Sequence, residues 1–513
     1  MDPRLPTRDG DDADRPSYVQ ILRSTALIGG SSGLTLLVGM ARTKAIAMLL
    51  GPTGIGLMGV YASIADVVRS VAQMGVNSSG VRQIAEAVAS EDDRQIARTV
   101  MALRRIAVGL ALLGTLAMVA FSRPIAVWTF GSDEHAGAVA WLSLAVFFKI
   151  VSDGQAALIQ GMRRIGDLAR IGVAGSLLGA IVSVGLVAAM GEEGVVPALV
   201  AIAAIGTLLS WAYSRKVDVA PVTLTRAEMR AEAASLLQLG LAFMASGLLM
   251  MVAALLVRVF VLRQLGVEAA GFFHATWALG GMYVGVVLQA MGADFYPRLV
   301  GAITDKPRAN RLVNEQAHVS LLLAGPGVVA TLALAAPVLT LFYTEEFNAA
   351  AGLLRWICLG MALRVITWPI GYIVVASNQR LVFFATELAW TVVNVSLSWL
   401  CIRRFGLEGA GVAFFASYVF HAVVVYILVG RMTGFRWSAA NRRTGLVYVA
   451  AVGVVFAAFL VLPPAWATAA GALVLIASCV HSAHELITLA SPESMPGALQ
   501  RLLARVDRMR AAP

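Results

Sequence analysis

Arg42, Arg69, Lys149, Arg258 and Arg364 each fall inside a segment that is otherwise apolar enough to enter lipid. A charge at the centre of a spanning helix costs roughly 2.5–3.5 kcal/mol on insertion scales. Such groups must therefore face a wet cavity, an anion or a carboxylate. A cavity lined by guanidinium and ammonium groups suits an anion. Guanidinium suits phosphate oxygens in particular, because its planar donors engage them bidentately. A phosphate or pyrophosphate headgroup is the economical ligand.

Asp66, Asp153 and Glu387 are carboxylates in the same kind of segment. They could carry protons or another coupling ion, or simply pair with the cations. Asp66 and Arg69 stand at i, i+3, and Lys149 and Asp153 at i, i+4, spacings that put both members on one helix face. Structural pairing and a cavity role both stay open for Arg69 and Lys149. Arg42, Arg258 and Arg364 have no carboxylate within a helical turn, which favours a cavity role for them. Lys44 is turned about 200° from Arg42 at 100° per residue, so the two need not share a face. Arg355 lies near the outer end of its span and is expected to snorkel.

Other chemistries find no support. The chain has no GxxxxGK[ST] pattern and no Gly-Lys dipeptide, which excludes a P-loop nucleotide site. His481 and His484 in HSAHE lack the HExxH spacing and read as interfacial. His274 stands alone and reads as a core histidine, with a proton relay as the alternative. Cys358, Cys401 and Cys479 form no CxxC pair, so neither a disulfide framework nor a zinc site is expected. No metal and no cofactor is expected at all.

The elements that must position these residues are membrane helices. The chain is 59% hydrophobic and 14% charged, against about 25% charged in soluble domains. Apolar runs of spanning length follow one another almost from end to end, and a bilayer forces them to be helical. Fourteen spans are predicted, near 21–50, 57–86, 99–121, 138–160, 171–190, 195–213, 235–262, 269–292, 312–342, 350–376, 381–402, 408–430, 444–462 and 465–489. With a cytoplasmic N-terminus, 29 of the 40 Lys and Arg fall on the cytoplasmic side, 4 on the other and 7 within the membrane. That asymmetry sets the orientation, puts both termini in the cytoplasm and explains the net charge of +10 without nucleic acid. Outer connections such as 51–56 and 191–194 are too short to host a soluble active site.

A duplication runs through the chain. The turns GPTGIG at Gly51, GEEGVV at Gly191, GVEAAG at Gly266 and GLEGAG at Gly406 share two spacings. The interval from Gly51 to Gly191 equals that from Gly266 to Gly406. The longer interval between the halves, from Gly51 to Gly266, equals that from Gly191 to Gly406. Equal spacings at two scales mark a repeated architecture. Each half holds six spans, so both enter the membrane from one side, a parallel repeat of the kind found in secondary transporters. The charges follow the repeat: the same longer interval separates Lys149 from Arg364, and Arg42 matches Arg258 to within one position. The expected organisation is a disordered cytoplasmic tail over 1–17, six-helix bundles over 18–230 and 231–432, an appended helix pair over 433–490 and an amphipathic cytoplasmic tail over 491–513. In that last tail Leu499, Leu502, Leu503 and Val506 share a face, as in an interfacial helix.

The segment AMLLGPTGIGLMGVY, the run MGVNSSGVRQIAEA and the stretch QAMGADFYPRL resemble the Wzx-type O-antigen and enterobacterial common antigen translocases. These belong to the multidrug/oligosaccharidyl-lipid/polysaccharide (MOP) flippase superfamily. The similarity covers the first twelve spans in order, and GADFYPRL is its most specific piece. It implies an all-α polytopic fold of two six-helix bundles around a V-shaped cavity, and a transporter rather than an enzyme. It further implies that undecaprenyl-diphosphate-linked oligosaccharide moves from the cytoplasmic to the periplasmic leaflet of a bacterial inner membrane by alternating access. The implied partners are that cargo, membrane lipids and polysaccharide polymerase or chain-length machinery. The extra helix pair would accommodate the lipid tail, as in related lipid II flippases. The rival readings are another exporter of the superfamily, for lipid II or drugs, and a membrane-embedded glycan-processing enzyme. The enzyme reading suffers from the lack of a substantial outer loop.

Overall fold

The computed structural model describes residues 15–90, 92–219 and 222–489. The expected N-terminal tail, except its last three residues, and the amphipathic tail over 491–513 lie outside them. Among the described residues every regular element is helical. Intrasegment hydrogen bonding is the way a spanning backbone avoids leaving polar groups bare in lipid.

Twelve helical stretches are long and apolar enough to cross a membrane, where the sequence predicts fourteen spans. Two of the twelve account for the difference. Gly30–Gln73 has 44 residues and Ile165–Ser214 has 50, each about twice the ~20 residues of one crossing. The first is broken at Gly51 and the second at Gly191.

In chain order the helices are α1 (Arg15–Gln73), α2 (Val76–Ala89), α3 (Asp93–Ala120), α4 (Ser122–Phe130), α5 (Ala136–Gly161), α6 (Ile165–Met190), α7 (Val195–Ser214) and α8 (Arg226–Leu265). They continue as α9 (Val267–Ala302), α10 (Lys306–Ala333), α11 (Ala335–Phe342), α12 (Ala351–Ala376), α13 (Arg380–Phe405), α14 (Glu408–Thr433), α15 (Ala439–Val461) and α16 (Pro464–Leu489). Their contacts fall into two units: Met1–His274 with Leu341–Glu346, and Ala275–Thr340 with Phe347–Pro513.

The duplication is written in the backbone. Gly51, Gly191, Gly266 and Gly406 have φ of 61°, 62°, 91° and 61°, with ψ of −161°, −136°, 176° and −140°. That corner of φ/ψ space is in practice reserved for glycine, which is why glycine recurs at these four turns. The repeat extends to residues the sequence spacing does not flag. Arg163 and Asn378, equivalent positions of the two halves, are both left-handed at φ 55° and 54°. Each accepts on its carbonyl the N–H of the residue two further on, Ile165 and Arg380. Asp92 and Asp305 are matching N-caps, with side chains that accept the backbone N–H of Gln95 and Arg308.

Several element boundaries differ from expectation. The second span, expected to run to 86, stops at Gln73, because Met74 and Gly75 both take positive φ. A Cβ on Gly75 would collide with the carbonyl oxygen of Gly240 on α8, so close backbone approach fixes the break there. The ninth span divides at Leu334 into α10 and α11. The eighth runs past its expected end at 292, through Pro297, to Ala302. In that extension Phe295 and Leu299 are buried among Val313, Ile370 and Ile373, and Gly292 makes room for the Trp368 ring. Phe295 and Leu299 of the GADFYPRL stretch thus pack into a core, while Asp294, Tyr296 and Arg298 are exposed. The SSGVRQI run behaves alike: Ser79 donates to the Leu236 carbonyl at 2.7 Å, and Ile84 is fully buried.

Within the second unit α15 and α16 pack on α10. Arg355 packs against the appended helices. Its guanidinium lies 3.7 Å from the centre of the Phe459 ring on α15, a cation–π contact that desolvation strengthens.

Candidate functional site

In the first unit the bend at Gly51 leaves a helical segment of α1 that carries Asp66 and Arg69 one turn apart. α5 carries Lys149 and Asp153 in the same way. The two helices exchange partners. Arg69 Nη1 lies 2.6 Å from Asp153 Oδ2, and Lys149 Nζ lies 3.1 Å from Asp66 Oδ1. The Asp66–Arg69 contact within α1 is longer, at 3.7 Å. The Lys149–Asp153 pairing expected from i, i+4 spacing gives way to these interhelical pairs. A side chain that points across to a neighbour meets its charge more directly than one a turn along its own helix, where both must bend towards each other. The four charges form one balanced network.

Arg258 on α8 approaches the same part of α1. Its Nη1 donates to the Gly59 carbonyl at 2.9 Å, an oxygen that also accepts the Ser63 hydroxyl. Gly59 matters because a Cβ there would sit 2.6 Å from Nδ1 of His274. Asp66 is within electrostatic reach of Arg258, yet no carboxylate of the described residues lies within ion-pair distance. The Nε atoms of Arg258 and Arg42 are both buried without a hydrogen-bond partner, as are Nδ1 of His274 and the Nε of Arg69, whose Nη1 meets Asp153. Arg42 has no ion pair among the described residues either. Among the described residues, the membrane interior of this unit thus holds two guanidinium groups, Arg42 and Arg258, that no carboxylate pairs. Orphaned buried donors of this kind are costly and call for a ligand, water or ion.

In the second unit Arg364 on α12 and Glu387 on α13 lie within electrostatic reach of each other but form no ion pair. Beside them is a cluster the sequence reading missed. The rings of Trp390 and Tyr418 lie 5.5 Å apart, and His421 lies 5.8 Å from Tyr418. Trp390 Nε1, Thr391 Oγ1 and His421 Nδ1 are buried and unpartnered. Its only signal was Tyr418 and His421 at i, i+3 in an apolar run, which core packing explains equally well. The structure therefore brings Asp66, Arg69, Lys149, Asp153 and Arg258 into one neighbourhood of the first unit, with Arg42 elsewhere on α1. Arg364 and Glu387 form a separate group in the second. No cluster of three or more His, Cys, Asp or Glu suited to a metal occurs among the described residues.

Residues 45–352 match a family described as "Polysaccharide biosynthesis protein". The lipid III flippase of Escherichia coli (strain K12) is 23% identical over 389 residues, covering 75% of this chain and 92% of that protein. Among solved structures, the lipid II flippase MurJ in an inward closed conformation aligns with a TM-score of 0.65 at 14% identity. That alignment covers 90% of this chain and 99% of the other. An inward-facing multidrug resistance MATE transporter of the MOP superfamily aligns with a TM-score of 0.61 at 15% identity, over 80% and 96% of the two chains. At such identities the structural likeness shows the fold, and it is the MOP flippase fold that the sequence implies.

Proposed function

The chain belongs to the polysaccharide biosynthesis protein family, and from that premise we propose that it flips an undecaprenyl-diphosphate-linked oligosaccharide from the cytoplasmic to the periplasmic leaflet. The likeness to lipid III and lipid II flippases supports a lipid-linked cargo. The excess of Lys and Arg on alternate connections supports an inner-membrane orientation with both termini cytoplasmic. Polysaccharide polymerase or chain-length machinery would then receive the cargo on the far side.

The observation that carries the reading is the unneutralised pair Arg42 and Arg258. Among the described residues Arg69 and Lys149 have carboxylate partners, and Arg42 and Arg258 have none. A diphosphate supplies the missing charge in a form that guanidinium grips bidentately. The polyprenyl tail stays in lipid while the diphosphate and sugar cross. Arg364, carried by the second six-helix half, 231–432, is assigned the same role. Of the three carboxylates proposed for ion coupling, Glu387 is the one without an ion-pair partner and the better placed to exchange a cation. Cargo drives the conformational change only through different affinity for the two states, so the arginines must meet the diphosphate differently in each.

The test is Ala substitution of Arg42, Arg258 and Arg364, singly, in a strain lacking the chromosomal copy, with protein level monitored. Lipid-linked oligosaccharide is expected to accumulate in the inner leaflet while surface glycan falls. Normal surface glycan in all three variants would remove the anion-site reading. Accumulation of lipid II instead would reassign the cargo.

A further inference from the structure

A cavity of about 260 Å³ lies among α3, α5 and α7. Arg104 on α3 and Arg215 at the end of α7 stand on its wall, and no Asp or Glu lines it. Neither arginine forms an ion pair among the described residues. Arg215 is stacked 4.6 Å from the centre of the Trp211 ring, which holds its fork in place. Gln155 contributes from α5. Its Oε1 accepts the Ser210 hydroxyl at 2.5 Å, which leaves its NH2 group as a further donor. Gly154 lets α3 and α5 close behind the cavity, since a Cβ there would sit 2.8 Å from that of Ala107. The cavity is thus mostly apolar, with two positive charges at its edge that no carboxylate among the described residues pairs.

The rim says what kind of molecule brings the anion. Val108 and Trp211, both at the cavity, are 42% and 47% exposed. One turn further along their helices, away from the basic connection that follows α7, Leu112 and Leu208 are 50% and 64% exposed. An apolar track therefore leads from the cavity along the surface that faces acyl chains. We propose that this cavity is a binding site for the phosphate of an anionic membrane lipid, with the headgroup phosphate held by Arg104, Arg215 and Gln155 and the chains lying along Leu112 and Leu208. Drug-sized ligand pockets run about 300–1,000 Å³, so this one takes a headgroup and not a whole lipid. The occupant's phosphate could belong to a glycerophospholipid or to a polyprenyl diphosphate, and the chemistry of the floor serves both.

The full chain, purified in detergent, is titrated with phosphatidylglycerol, phosphatidylcholine or undecaprenyl diphosphate, and bound lipid is counted by native mass spectrometry. Two variants are compared with the unmodified chain. R104A/R215A removes both charges, and V108W fills the mouth from an exposed position while keeping them; thermal melting checks that both fold. Two lost charge-assisted contacts should weaken phosphatidylglycerol binding by about tenfold or more in R104A/R215A. V108W should do the same, and phosphatidylcholine should be little affected by either. Loss confined to undecaprenyl diphosphate would assign the same phosphate site to a polyprenyl lipid. If neither anionic lipid binds more weakly in either folded variant, or if phosphatidylcholine loses as much, the proposal fails.

Discussion

Gly56 and Gly271 meet backbone to backbone, and they do so reciprocally. A Cβ on Gly56 would collide with the Val267 carbonyl oxygen, and one on Gly271 with the carbonyl oxygen of Pro52. Each would also lie close to the other's amide nitrogen, at 2.9 Å and 3.1 Å. Pro52 and Val267 are equivalent positions of the two halves, as are Gly56 and Gly271, so matching turns of the duplicated sequence form a self-complementary contact within the first unit. Small residues allow helices in lipid to approach this closely. G56A and G271A should each destabilise the chain by about 1–3 kcal/mol, the usual effect of forcing a group into a packed site. Thermal unfolding in detergent measures it. Because the contact is shared, the double variant should lose less than the sum of the two. Full additivity, or two neutral single variants, would rule out the reciprocal contact.

The exchanged ion pairs make a second prediction. Arg69 and Asp153 have side chains 24% and 28% exposed, so their attraction is only partly screened. A double-mutant cycle of R69A and D153A should return a coupling of roughly 0.5–3 kcal/mol. R69A with D66A should couple less, because that contact is 3.7 Å. Equal couplings would mean that the pairing stays local to α1.

The contrast between these two cases shows what a sequence can and cannot carry. The four glycine turns were legible because a backbone with positive φ and extended ψ selects one residue type, whatever the surroundings. The helices were legible because lipid leaves a backbone one way to satisfy itself. The ion-pair partners were not: Asp66 and Asp153 stand equally well placed within their own helices, and the choice is made by how α5 lies against α1. The break at Leu334 was hidden because hydropathy continues across it, and that at Met74 because close approach of α8 at Gly75, which only the packed structure shows, fixes it. GADFYPRL stood out as a motif, but that Phe295 and Leu299 face a core while Asp294 and Arg298 face out is visible only in the fold.

Arg258 separates a binding role from a structural one. Removing one member of a buried pair is destabilising, because a charge is left alone. Removing a cation that has no carboxylate partner relieves that situation. R258M should therefore melt at or above the temperature of the unmodified chain, despite losing the hydrogen bond to the Gly59 carbonyl. Transport should fall by about tenfold or more, the usual trade of function against stability at a ligand site. R258K should recover part of the transport if charge dominates and little if bidentate geometry does. A variant that melts far lower and loses transport in parallel would show Arg258 to be a structural strut.

His135 gives the pH dependence its sign. It N-caps α5 beyond the spanning segment, with Nδ1 2.8 Å from the Tyr61 hydroxyl and its ring 4.1 Å from that of Phe130. Burial holds its pKa below the ordinary histidine value of 6.5, against the pull of Glu134. The folded chain therefore favours the neutral ring; in the tautomer protonated at Nε2, its Nδ1 accepts the Tyr61 proton. Between the folded value and 6.5 the unfolded chain binds more protons, so stability falls as pH drops through that window and is fully present above it. Protonation also turns Nδ1 into a donor, and the tyrosine hydroxyl must then reverse its role. Melting followed from pH 8 to pH 5 should show a decline that H135Q flattens. Y61F should cost about 0.5–1.5 kcal/mol at pH 8, one hydrogen bond, and less as falling pH protonates the ring. A Y61F penalty that stays constant over this range would show that the ring does not titrate against Tyr61.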